Sequence, residues 1–202
     1  MASPPSKVSD EVASRARGLN AYVARTERLY VARTLGRPDL HRVYAGALLA
    51  FNTYAERQLE RLLLGLVMGR FAKSGIHSLV EIKSEVVARK VVAGGRRYAD
   101  WLPYEKETLP RAVAFLAAGR PFSDLTTDDV KALDRLTIIR NALAHESSHA
   151  VRRFRKTFTE GRGIPPDQLT PAGYLRGQHS PGVSRFNNTL NESVTVFQHL
   201  CQ

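Results

Sequence analysis

Apolar residues recur at intervals of three and four across residues 40–71. Tyr44, Leu48, Phe51, Ala55, Leu59, Leu62, Leu63 and Leu66 fall on one stripe, and Glu56, Arg57, Glu60 and Arg61 fall opposite. That period belongs to an amphipathic helix. Residues 8–35 carry a weaker version of the pattern: Val12, Leu19, Tyr22 or Val23, and Leu29 or Tyr30. The break Gly36-Arg37-Pro38-Asp39 follows. Residues 79–98 leave helix and strand open, because Val80 and Ile82 alternate while Val86, Val87, Val91 and Val92 fit either period. Tyr98-Ala-Asp-Trp101-Leu-Pro103 reads as a packed turn. Thr108 reads as the cap of a short helix to residue 118, with Pro110 in its first turn and Gly119 after its end. Thr126-Thr127-Asp128-Asp129 opens a helix predicted to run to about residue 158, since cap residues lead and acids fill the first turn. In the last segment Phe186, Leu190, Val194 and Phe197 return to helical spacing.

The expectation is an all-α bundle of four to five helices. Its predicted divisions are a disordered tail over 1–6, a helical domain over 7–160, a Gly/Pro-rich linker over 161–182, and a C-terminal helix over 183–202 that packs on the bundle. The longest apolar run, residues 62–68, is too short to cross a bilayer, and the N-terminus shows no secretory pattern. A cytoplasmic protein with no membrane partner is expected. The single cysteine, Cys201, excludes a disulfide framework or a cysteine-built zinc site within one chain.

Charge narrows the partners. Lys and Arg number 30 against 19 Asp and Glu, a net +11, and 23 of the 30 are Arg. The planar guanidinium matches phosphate, so the excess leans toward nucleic acid. Candidate chemistry concentrates in Ile138-Ile-Arg140-Asn141-Ala-Leu-Ala-His145-Glu146-Ser147-Ser148-His149. Arg140-Asn141-x-x-x-His145 follows two isoleucines on a late helix. Together with the Tyr54-x-Glu56-x-x-Leu59-Glu60-x-Leu62 texture of an early helix, it resembles the R-x4-H signature of the HEPN superfamily of helical-bundle ribonucleases. The resemblance covers about residues 40–160. It implies a HEPN-like bundle that cleaves RNA without metal or cofactor through Arg140 and His145, with Asn141 in support. The products would be a 2′,3′-cyclic phosphate and a 5′-hydroxyl. It also implies a homodimer with a composite site, a toxin or phage-defence role, and an antitoxin or defence partner. Some relatives of this fold are non-catalytic binding modules, the alternative class. Where a nucleotidyltransferase modifies the toxin in that family, a Tyr lies two residues beyond the motif His; here the position is Ser147.

The residue types suit the chemistry. A His near neutrality moves the proton of a 2′-hydroxyl, and an always-charged Arg holds the phosphate. On one continuous helix Arg140 and His145 lie about 140° apart and do not converge. Arg140 also falls within the apolar stripe of Leu133, Leu136, Ile139 and Leu143, where a cation needs a partner or an interface. Both points suggest that two copies complete the site. Downstream, Arg152, Arg153, Arg155 and Lys156 are candidates for the RNA backbone, with Phe154 read as core. A second motif overlaps the first: His145-Glu146-x-x-His149 matches the zinc-hydrolase pattern, with Glu192 or His179 as candidate third ligand. It requires both His on one helix face.

Overall fold

The computed structural model describes residues 4–71, 75–96, 99–145 and 147–202. Among them the chain forms eight α-helices: α1 (Ser6–Val31), α2 (Arg37–Val67), α3 (Glu85–Val92), α4 (Tyr104–Phe115), α5 (Thr127–Ala144), α6 (Ser148–Phe158), α7 (Pro171–Arg176) and α8 (Arg185–Cys201). A small antiparallel hairpin, β1 (Gln178–Ser180) and β2 (Val183–Ser184), precedes α8. The protein is an all-α, multi-helix bundle, with more helices than the four to five expected. Among the described residues no helix is long and apolar enough to cross a membrane.

The chain divides into two compact units. The first comprises the described residues within 1–13, 54–134 and 193–202. Val8, Leu59, Leu62, Leu63, Tyr104, Leu116, Phe122 and Phe197 are buried there. The second comprises residues 14–53 and 135–192, with Leu40, Leu48, Phe51, Leu136, Phe154, Leu175, Phe186 and Leu190 buried.

In the first unit, α2 stops at Val67, four residues before the periodicity suggests. Gly69 takes φ 65°, a left-handed conformation that ends helices readily. The amides of Arg70 and Phe71 then turn back to the Gly65 carbonyl at 2.8 and 3.1 Å. The Phe71 ring lies over Gly65, where a Cβ would collide with it. The ambiguous 79–98 segment contains α3, opened at Ser84 and followed by a turn at Gly94 and Gly95. Residues 97 and 98 lie outside the described residues. Thr108 does not cap α4: the helix begins at Tyr104, after Pro103, and the buried Thr108 hydroxyl donates to the Trp101 carbonyl. Expected tail residues 1–3 are outside the described set, whereas Ser6 already starts α1.

Two polar devices hold the first unit. The fully buried Tyr104 donates its hydroxyl to the Phe122 carbonyl at 2.7 Å. Removing it in Tyr104→Phe leaves that carbonyl only the Leu125 amide at 3.5 Å and is expected to cost about 1 kcal/mol. For a chain of this size that lowers Tm by about 2–4 °C per kcal/mol, measurable by thermal denaturation. The second device opens α5. Asp129 accepts from the Thr126 amide (3.0 Å) and hydroxyl (2.7 Å), and the Thr126 hydroxyl accepts from the Asp129 amide (3.2 Å). This reciprocal box caps the helix. His199 Nδ1 lies 2.9 Å from the same carboxylate. Burial pushes the Asp129 pKa up, but the Thr126 hydroxyl and His199 outweigh it and hold it below the ordinary value. Asp129 therefore contributes stability that is complete above the unfolded value, about pH 4, and is lost as pH falls through the lower folded value. Asp129→Asn is expected to lower Tm at neutral pH and to flatten the acid limb of Tm against pH.

Candidate functional site

The motif lies where α5 ends, in the second unit. Buried Ile138 and Ile139 hold the helix to its core and leave Arg140 and Asn141 half-exposed. The Asn141 carbonyl accepts from the His145 amide at 2.9 Å, closing the last turn. His145 follows Ala144 and lies outside the helix. Ser147 then starts α6 as its N-cap, its hydroxyl accepting from the Ala150 amide at 3.3 Å. The single helix expected over residues 126–158 is thus two helices.

That break changes the geometry. Arg140 Nη1 donates to Asn141 Oδ1 at 2.8 Å and lies 3.4 Å from His145 Nε2. The rotation that separates positions five apart on a helix does not apply to His145, because its backbone has left the helix. One chain therefore brings Arg140, Asn141 and His145 together, contrary to the expectation that they diverge. Arg140 is also half-exposed and hydrogen-bonded, so the cost of an unpaired cation within the stripe does not arise. Guanidinium can only donate, so Nε2 accepts in the tautomer whose proton is on Nδ1. His145 is exposed. The trio is open to a ligand at the junction of two helices.

The break also removes the premise of the zinc motif. His145 lies beyond α5 and His149 in the first turn of α6, so they do not share a continuous helix face. Glu146 lies outside the described residues. The Glu192 carboxylate is held by Arg135 at 2.9 Å and by the Asn188 amide at 3.1 Å. Among the described residues no three His, Cys, Asp or Glu side chains group as a metal site. Glu60 pairs with Arg89 at 2.9 Å in the first unit.

Helix α6 is sharply two-faced. Ala150, Phe154 and Phe158 are buried, and the Phe154 ring packs against Phe158 and Tyr174. Arg152, Arg153, Arg155 and Lys156 are all exposed, as is His149. By the 100° step, His149, Arg152, Arg153 and Lys156 share one outward arc. Among the described residues none of Arg152, Arg153, Arg155 and Lys156 has a carboxylate partner. The Ser147 hydroxyl, at the position of the modified Tyr in the resembled family, is engaged as a cap.

Residues 161–182 are more than a connection. They form a 3₁₀ turn over Pro166–Gln168, α7 and β1. With parts of α1 and α2 in the same unit they line a polar cavity of about 680 Å³. Glu27, Arg176 and Arg185 of that cavity were not singled out from the sequence. Glu27 and Arg176 are 149 positions apart, and no local pattern marks their pairing.

No protein-family model, curated protein or solved structure matches the chain. The class that the fold itself defines is an all-α, multi-helix protein.

Proposed function

We propose that the chain is a metal-independent endoribonuclease of the HEPN-like type, with its site at Arg140, Asn141 and His145. The observation that carries this reading is the contact of one guanidinium nitrogen with both Asn141 Oδ1 and His145 Nε2 at an exposed helix junction. Asn141 is a positioning residue: it fixes the guanidinium beside the imidazole. An incoming phosphodiester takes over Arg140 donors, which frees Nε2 to accept the proton of the adjacent 2′-hydroxyl. The 2′-oxygen then attacks phosphorus, the bond to the 5′-oxygen breaks, and that oxygen takes up a proton. Arg140 stabilises the charge that grows on the phosphoryl oxygens. The proton on Nε2 either returns to the leaving oxygen or, in a homodimer, the second copy's His145 supplies it. The basic arc of α6 lies immediately downstream and suits the RNA backbone. A toxin or defence role, with an antitoxin or defence partner, extends this reading.

The test is incubation of purified protein with mixed RNA, including tRNA, in EDTA. Cleavage products ending in 2′,3′-cyclic phosphate and 5′-hydroxyl are expected. Intact RNA, or products ending in 3′-hydroxyl and 5′-phosphate, would reject the mechanism. Asn141→Ala is expected to lower kcat about tenfold with little change in KM, as loss of a group that orients Arg140 in the transition state requires.

A further inference from the structure

A second site is built into the second unit, apart from the trio and independent of the RNA-cleavage reading. The cavity of about 680 Å³ is lined by Glu27, His41, Asp167, Gln168, Arg176 and Arg185, among others. That volume lies within the range of small-molecule pockets. Its two guanidinium groups are held in different ways. Arg176 lies 4.5 Å from the centre of the Tyr30 ring and is neutralised by Glu27, with Nε donating to Oε1 at 2.9 Å. Glu27 also accepts from the Tyr44 hydroxyl at 2.9 Å, so that carboxylate is fully engaged.

Arg185 has no such counter-charge. Its guanidinium lies 4.6 Å from the Tyr174 ring centre, and Nη1 donates to Gln168 Oε1 at 2.8 Å and to the Tyr174 carbonyl at 3.2 Å. Both acceptors are neutral. Among the described residues Arg185 has no carboxylate partner, and Nε and Nη2 are uncommitted. The seat is nevertheless precise. A Cβ on Gly177 would collide with Gln168 Oε1 and Arg185 Nη1, so the absence of a side chain there admits the guanidinium. The Gly177 backbone, at φ −60° and ψ 158°, is open to any residue, so space and not conformation calls for glycine. An aromatic face, an amide and a notch thus position a half-buried cation and leave its charge unanswered. A guanidinium seated in this way keeps Nε and Nη2 free to donate to an incoming anion.

We propose that this cavity binds a small phosphomonoester, a sugar phosphate or a mononucleotide, with its phosphate on Arg185. A tetrahedral phosphate accepts from more than one direction, which suits the two free guanidinium nitrogens and a second donor. His41 supplies that donor as a neutral imidazole: burial, then Arg176 and Arg37, push its pKa below the ordinary value against the opposing pull of Asp167 and Glu27. The Asp167 carboxylate disfavours a second anionic group but accepts from hydroxyls. Gln178 and Ser184 on the same wall extend the polar lining. Hence the predicted body is polyhydroxylated and carries one phosphate.

Isothermal titration calorimetry at low ionic strength tests this with ribose 5-phosphate, AMP, inorganic phosphate and ribose. One-to-one saturable binding of ribose 5-phosphate or AMP is expected, with inorganic phosphate weaker and ribose silent. Whichever of the two phosphomonoesters binds tighter identifies the body as sugar or nucleotide. Arg185→Gln and Gly177→Ala should each weaken binding at least about tenfold with an unchanged circular dichroism spectrum. Should Arg185→Gln fail to fold, Gly177→Ala carries the test, since it displaces the guanidinium while keeping it. The fourfold variant R152Q/R153Q/R155Q/K156Q should bind as the wild type does. Absence of saturable heat from every phosphate, undiminished binding in Gly177→Ala, or loss of binding in the α6 variant would overturn the proposal.

Discussion

His145→Ala is expected to reduce RNA cleavage in EDTA by about 10²–10⁴-fold, the range for losing a general acid–base group. Arg140→Ala should cost about 10²–10³-fold, as for other groups that stabilise charge in the transition state. Arg140→Lys should recover little, because an ammonium that takes the place of Nη1 beside Asn141 Oδ1 and His145 Nε2 brings no further nitrogens in a rigid plane to hold the phosphate. His149→Ala should cleave at the wild-type rate, since His149 lies on α6 and outside the trio. The last comparison separates the two motifs that overlap in the sequence. A zinc enzyme needs both histidines and fails in EDTA; the proposed chemistry needs one and persists. Equal losses in His145→Ala and His149→Ala would remove the ribonuclease reading. His145→Ala and His149→Ala should leave Tm nearly unchanged, because both side chains are exposed and contribute no core packing.

How much of this was legible in the sequence differs by element. The α2 stripe was plain: Tyr44, Leu48, Phe51, Ala55, Leu59, Leu62 and Leu63 are all buried, as a 3.6-residue period on a core-facing helix requires. The α5 start was equally plain, since Thr126 and Asp129 form the cap that their spacing suggests. The α5–α6 break was not. No Gly or Pro lies in residues 140–150, and the apolar positions Leu143, Ala150 and Phe154 continue a helical phase across it. The signal was Ser147, a cap residue within an otherwise unbroken pattern. The break reverses the geometry, because Arg140 and His145 diverge on a continuous helix and meet when the helix ends between them. The cavity was illegible for another reason. Its seat joins Gln168, Tyr174, Gly177 and Arg185, all within a Gly/Pro-rich stretch or at its end. Composition there reports turns and not what the turns enclose.

Neutralising the exposed cations of α6 is expected to weaken RNA binding steeply while leaving the trio intact. The fourfold variant R152Q/R153Q/R155Q/K156Q removes four exposed cations from one helix, and none of them supports the buried face of Ala150, Phe154 and Phe158. If all four meet phosphates of single-stranded RNA, log K should fall with log salt at a slope near −0.7 per contact, about −2.8 in total. The variant should lose that part of the slope and bind about 10²–10³-fold more weakly at low salt. Fluorescence anisotropy with a labelled oligonucleotide across a salt series measures both quantities. At saturating RNA the variant's kcat should remain within a few-fold of wild type, because phosphate contacts remote from the reacting bond act mainly through binding. His145→Ala should show the converse, unaltered affinity and salt slope with cleavage lost. If the fourfold variant keeps the wild-type slope, the RNA track lies elsewhere on the chain. The exposed Arg17, Arg25 and Arg28 of α1 would then be the next cations to neutralise. If both variants bind normally and the wild type never cleaves, the trio is silent and the chain is a binding module.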